Sequence, residues 1–311
     1  MSGKLEKNIL ATIAYYDCLD YPLTPFEIWK NLIRTDNYNV SENSDETTLA
    51  EVIKQLESEN LRKYVESKNG FYFLKGRNYL VKKRIENNKI SVGKIKKLLR
   101  IAKWMRLIPF IKMIGMTGAL SMKNANAKSD LDVFVVFKKG KIWTGRTLAT
   151  IFLQAIGKRR HGKKIADRVC LNFFVTDESL EITTKDLFSA SEYMFLFPLY
   201  GWETYQRFQI KNKWIKSMKP SYSLCEVPPL KTLGDPSFLK AIRTAGEFIL
   251  SPAWIERWLA KIEKKRIMQN PKTHQPGSMV YADDNALIFL PEPHGPKVFE
   301  QFKQKISQLG S

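Results

Sequence analysis

Cysteine and histidine are scarce, three of each in 311 residues. Cys18, Cys170 and Cys225 lie far apart, and His161, His274 and His294 are equally dispersed. A disulfide framework, a zinc site and a histidine-centred nucleophile are therefore not indicated. Acid is also in deficit: 31 Asp and Glu stand against 51 Lys and Arg, a formal charge of +20 with a pI of about 9.7. Such a surface attracts polyanions, RNA or DNA first among them, although counterion release alone draws any basic protein to nucleic acid. Long apolar runs are missing, and Lys4, Glu6 and Lys7 interrupt the stretch where a signal peptide would turn apolar. The expectation is a cytoplasmic protein with no membrane partner. No internal repeat or low-complexity tract is present, and 44% hydrophobic content suffices for the cores of two or three domains.

Residues 1–76 read as a compact first module. Leu5, Ile9 and Ile13 recur at helical spacing, and Leu19-Asp20-Tyr21-Pro22 ends that helix. Thr24-Pro25-Phe26-Glu27 is a capping box with proline at the first helical position, opening a second helix through Ile28, Leu32 and Ile33. A polar loop over 37–45 precedes a third helix carrying Leu49, Val52, Ile53 and Leu56, and Lys68-Asn69-Gly70 predicts a hairpin turn. Three helices and a hairpin suggest a winged helix-turn-helix. Glu46, Glu51, Glu57 and Glu59 on or beside the third helix, against Lys54, give it the wrong sign for a phosphate backbone. A protein contact or substrate-positioning role suits it better than DNA reading.

Residues 77–109 read as a basic connector helix, interrupted near Ser91 and Gly93. Val81, Ile85, Val92, Ile95, Leu99 and Ala102 form its apolar seam; lysines and arginines from Lys82 to Arg106 crowd the rest, with Glu86 the only acid. That face is either a solvated surface or a polyanion track.

The stretch that organises the chain runs from Met113 to Phe137. An apolar strand ends at Gly118, a short helix follows over Ala119 to Lys123, and Asp130 and Asp132 head a second, β-branched strand. Alternation puts both carboxylates on one side, where they repel unless a cation lies between them. Magnesium or manganese suits such oxygen ligands. Gly118 lets the backbone turn tightly and approach an anion. A lone Asp-x-Asp is otherwise a solvated strand end.

Gly118 followed by Ser129-Asp130-Leu131-Asp132 and a hydrophobic strand resembles the signature of the DNA polymerase β-like nucleotidyltransferase superfamily, in the spacing of its small bacterial members. The resemblance covers about residues 110–180. It implies a triphosphate held at Gly118, Ala119, Ser121 and Ser129, and Mg2+ or Mn2+ on Asp130 and Asp132. It further implies transfer of a nucleoside monophosphate to a hydroxyl acceptor, an RNA end, a protein or a small molecule, with pyrophosphate release. Ala119 stands where the family has serine, with Ser121 a partial substitute. On the strand 168–175, Asn172 stands where a third carboxylate is expected. An amide oxygen can ligate, but it cannot act as a base. Asp167 and Asp177 flank that strand as substitutes. The alternative is a catalytically weakened relative that binds nucleotide or nucleic acid.

Trp143 to Ile156 reads as a helix stopped by Gly157, and residues 158–164 form the densest cationic loop, suited to an acidic acceptor or to pyrophosphate. Residues 110–182 thus form the expected catalytic core. Residues 183–311 form a helical, aromatic C-terminal region: a helix over about 238–266, a proline-containing tail with a short strand at 287–290, and a final amphipathic helix bearing Val298, Phe302 and Ile306. Asp283 and Asp284 carry little weight as metal ligands. The fold class expected is α+β, a winged module before a mixed sheet with helices.

Overall fold

The computed structural model describes residues 3–35, 47–229 and 232–310; the loop expected over 37–45, and Glu46, lie outside them. Helices α1 (Lys4–Asp17), α2 (Pro25–Lys30), α3 (Leu49–Leu56) and α4 (Glu59–Arg62) precede the hairpin of β1 (Val65–Lys68) and β2 (Phe71–Leu74). The expected capping box forms, and a second one opens α3. The Thr24 hydroxyl accepts the Glu27 N–H while the Glu27 carboxylate accepts the Thr24 N–H, and Thr48 and Glu51 do the same for α3. The hairpin turns through Asn69 and Gly70, both at positive φ, as a two-residue turn matching the strand twist requires. Ile9, Ile13, Tyr16, Ile28, Val52, Leu56 and Leu61 form this module's core. The far end of the chain completes it: α13 (His294–Gly310) lays Val298 and Phe302 on that core, and Lys305 pairs with the buried Asp17 at 2.7 Å.

Next, α5 (Tyr79–Met105) runs without the expected interruption. A single exposed glycine costs a helix about 1 kcal/mol, too little to break one held along its length. The seam also differs from the apolar one expected. Ile85 and Val92 are exposed, while Arg84, Asn87, Ser91 and Lys94 face inward. The reason lies beneath them, in the irregular segment 122–129, whose polar groups need partners. Arg84 donates to the carbonyls of Met122 and Lys123, and Asn87 to the Asn124 side chain. Ser91 accepts the Ala125 N–H, and Lys94 donates to Ala127 O at 3.2 Å and Ser129 O at 2.8 Å. Two cations of the supposed track are therefore spent inside the fold, Arg84 on Glu27 at 2.6 Å and Lys94 on Asp167 at 2.8 Å.

A mixed six-stranded sheet of order β6-β3-β4-β5-β8-β7 makes the molecule α+β. Its strands are β3 (Ile111–Met116), β4 (Leu131–Phe137), β5 (Val169–Thr176), β6 (Phe197–Tyr200), β7 (Met279–Ala282) and β8 (Ala286–Leu290). Among the described strands, β4 and β5 alone pair parallel, consistent with the long connection through α7 (Ile142–Ala155). Short α6 (Gly118–Ser121) follows β3. Leu131, Val133, Val135 and Phe137 pack on one face with α5 and α7. Phe134 and Val136 pack on the other with α8 (Leu187–Met194), α9 (Trp202–Lys211) and α10 (Ile215–Met218).

The region expected to be helical beyond residue 183 supplies three of these strands. β6 was hidden by an aromatic run at helical spacing, and its Pro198 is tolerated because β6 is an edge. The helix expected over 238–266 is two, α11 (Ser237–Ile249) and α12 (Ala253–Met268), because Pro252 cannot sit inside a helix. Among the described residues, no helix is long and apolar enough to cross a membrane.

Candidate active site

The site lies where β3 ends against the start of β4. The Thr117 N–H donates to Asp132 O at 3.2 Å, and Gly118 then turns at φ +64°. A Cβ there would stand 2.6 Å from Asp132 Oδ2, so only glycine fits both the turn and the carboxylate. Asp132 shares a strand face with Phe134 and Val136, and Asp130 precedes it by two residues.

Across the parallel β4/β5 pair, Asp132 stands in register with Cys170, and an irregularity between Asp132 and Phe134 shifts the pairing from there on. Asn172 lies two residues beyond Cys170, within that irregular stretch and past the aspartates. The neighbour that was expected to be Asn172 is the buried Cys170: one carboxylate oxygen each from Asp130 and Asp132 and the Cys170 Sγ lie within 4.8 Å of one another. Arg160, from the cationic loop, reaches the same place, its Nη1 donating to Asp130 Oδ2 at 2.6 Å and to Cys170 Sγ at 3.2 Å. Lys158, His161, Lys163 and Lys164 of that loop are exposed.

The electrostatics follow from this crowding. Burial, and then the charge of Asp130, push the Asp132 carboxyl up to about 7. Burial and the two aspartates push the Cys170 thiol up to about 12, so it keeps its proton near neutrality. A further acid was not anticipated. Glu192 of α8 hydrogen-bonds the Gly118 backbone N–H, adds to the negative field on Asp132, and is itself pushed up to about 7 by burial. The signal was present in sequence, an acid set in Ala190-Ser191-Glu192-Tyr193-Met194-Phe195, where a solvated carboxylate is out of place.

Other expected residues sit elsewhere or act structurally. The Ser121 hydroxyl donates to Gly118 O at 2.8 Å and bolts the turn together, and Ala119 lies within α6. Ser129 Oγ accepts the Asn126 N–H, closing the loop before Asp130. Asp167 is taken by Lys94 and Lys97, and Asp177 accepts the Lys139 N–H at the opposite end of β5 from Cys170. Asp283 caps the β7–β8 turn, and Asp284 accepts from Trp143 and Lys264.

The donor set fits a hard divalent cation on the two carboxylates, since a proton-bearing thiol is a poor ligand for magnesium. The strained protonation of Asp132 is what an adjacent cation would relieve. No protein-family model, curated protein or solved structure matches the chain.

Proposed function

We propose that the chain is a metal-dependent nucleotidyltransferase, with its sheet in the polymerase β-like arrangement and its first module a winged helix used for protein contact or substrate positioning. The single observation that carries the reading is the convergence of Gly118, Asp130 and Asp132 on one small volume. Asp130 and Asp132 would hold Mg2+ or Mn2+, which offsets charge on the pyrophosphate leaving group when bound. The Gly118 turn sets its backbone directly against the Asp132 carboxylate, and Arg160 brings positive charge to the same place. Activation of the acceptor hydroxyl is the weak part of the machinery, because Cys170 holds its proton and cannot serve as a base. The exposed cations of loop 158–164 suit an acidic acceptor, RNA or DNA among them.

Cys170 also favours a second reading, a nucleotide-binding protein whose transfer chemistry is weakened. The two separate in one experiment: each α-labelled triphosphate is incubated with protein, Mg2+ and total cell extract, and label in an acceptor is followed. Transfer that disappears in Asp130→Ala and Asp132→Ala supports the enzyme. Magnesium-dependent triphosphate binding without transfer supports the binder, and turnover retained in both variants removes the mechanism.

A further inference from the structure

Helix α11 is inside out. Its inward side is polar: Arg243 is buried, pairs with Asp235 and donates to Arg106 O, and Glu247 accepts the Phe110 N–H at 3.0 Å. Its outward side carries Phe238, Ile242, Phe248 and Ile249, the last two 81% and 70% exposed. Helix α12 packs Leu259, Ala260 and Ile267 on the core, but its acids also turn inward. Glu256 turns inward to the N–H groups of Trp143 and Thr144, and Glu263 to Arg146 and Arg266. Trp254, 62% exposed, and Trp258 face out. Arg257, Lys261 and Lys265 are exposed and fall on the same stripe by their spacing of three and four residues. The elbow between the helices is pinned, since Lys141 Nζ donates to Leu250 O at 3.0 Å and Ser251 O at 2.7 Å. Phe248, Ile249 and Trp254 are thus displayed on either side of a fixed corner.

We propose that this face of α11 and α12 docks on an anionic lipid bilayer surface, independently of the nucleotide site. Exposed apolar area of this kind marks an interaction surface, and charge decides between occupants. All three acids of the two helices, Glu247, Glu256 and Glu263, are turned inward and hydrogen-bonded, so the outward face is apolar and cationic alone. A second copy related by a twofold axis would set the same cations against themselves, on a chain already at +20. A bilayer with acidic headgroups satisfies both halves of the surface. Phe, Ile and Trp enter the boundary of the acyl region while Lys and Arg remain among phosphates. This mode needs no spanning helix. It was invisible to a reading of 238–266 as one helix, because the break at Pro252 resets the periodicity.

The test is flotation of the full chain with phosphatidylcholine vesicles, with and without about one-third phosphatidylglycerol, together with quenching of tryptophan emission by brominated acyl chains. The wild type is expected to float with the anionic vesicles only and to be quenched. Phe248→Ser with Trp254→Ser should lose flotation, Lys261→Gln with Lys265→Gln should weaken binding about fivefold per cation, and quenching should fall in Trp254→Phe with Trp258→Phe. All these positions are exposed, so unchanged melting temperatures separate loss of docking from loss of fold. The proposal is overturned by absence of binding to either vesicle. Binding untouched by Phe248→Ser with Trp254→Ser, which would place the contact elsewhere on the basic surface, overturns it too. So does a lipid-free dimer dispersed by those two substitutions.

Discussion

Asp132→Asn should stabilise the protein above neutral pH while destroying its proposed chemistry. The Asp132 carboxyl moves from its ordinary 3.8 to about 7 through burial and the charge of Asp130. At about 1.4 kcal/mol per pKa unit, ionising it in the folded chain costs up to about 4 kcal/mol. Asp132 is only half-buried, and solvent screening of part of the field brings the expected effect to about 1–3 kcal/mol. The folded state holds this proton more tightly than the unfolded chain does. Its contribution is therefore fully present below about pH 4 and is lost as pH rises through 7. Asparagine carries no charge, so the variant gains on the wild type across that window and keeps its advantage above it. Thermal melts at pH 3.5 and pH 8 in chelator should show near-equal stability at the lower pH and a variant about 2–6 °C higher at pH 8. A variant equal or inferior to the wild type at pH 8, or a difference that does not change with pH, would refute the electrostatic account of the site.

Gly118→Ala forces a residue with a Cβ to φ +64° and sets that Cβ against Asp132 Oδ2, so melting should show a loss of at least about 1–2 kcal/mol and calorimetry a loss of triphosphate binding. Cys170→Asp supplies a third carboxylate beside Asp132, and label transfer should rise at least about tenfold if acceptor activation is limiting. The native Cys170 thiol, buried and pushed up to about 12, should resist iodoacetamide at pH 8 until the chain unfolds, as peptide mass mapping would show. Lys94→Met strips donors from Ala127 O and Ser129 O and leaves Asp167 short of a partner; urea unfolding should report a cost of about 1–3 kcal/mol.

What could be read from sequence was what local chemistry dictates. The capping box at Thr24, the Asn69-Gly70 turn and the Gly118-to-Asp132 strand-turn-strand all depend on residues a few positions apart, and their elements stand where the sequence puts them. What could not be read depends on partners far along the chain. The polar seam of α5 exists because segment 122–129 needs donors. Cys170 rather than Asn172 pairs with Asp132 because the register of the parallel β4/β5 pair is set between distant segments, and the irregularity beyond that pair leaves Asn172 between the positions opposite Asp132 and Phe134. Glu192 joins the site only because α8 covers the face of β4 that carries Asp132. The inverted α11 reads from sequence as ordinary amphipathicity, since periodicity reports that a helix has an apolar face but not which way it points.

The central claim is that Asp130, Asp132 and the Gly118 turn hold one nucleotide through one divalent cation. It is tested most directly by Mn2+ paramagnetic resonance with and without triphosphate. The account predicts a bound-manganese signal that strengthens with triphosphate and disappears in Asp130→Asn and Asp132→Asn. Manganese binding unchanged in both variants would contradict it.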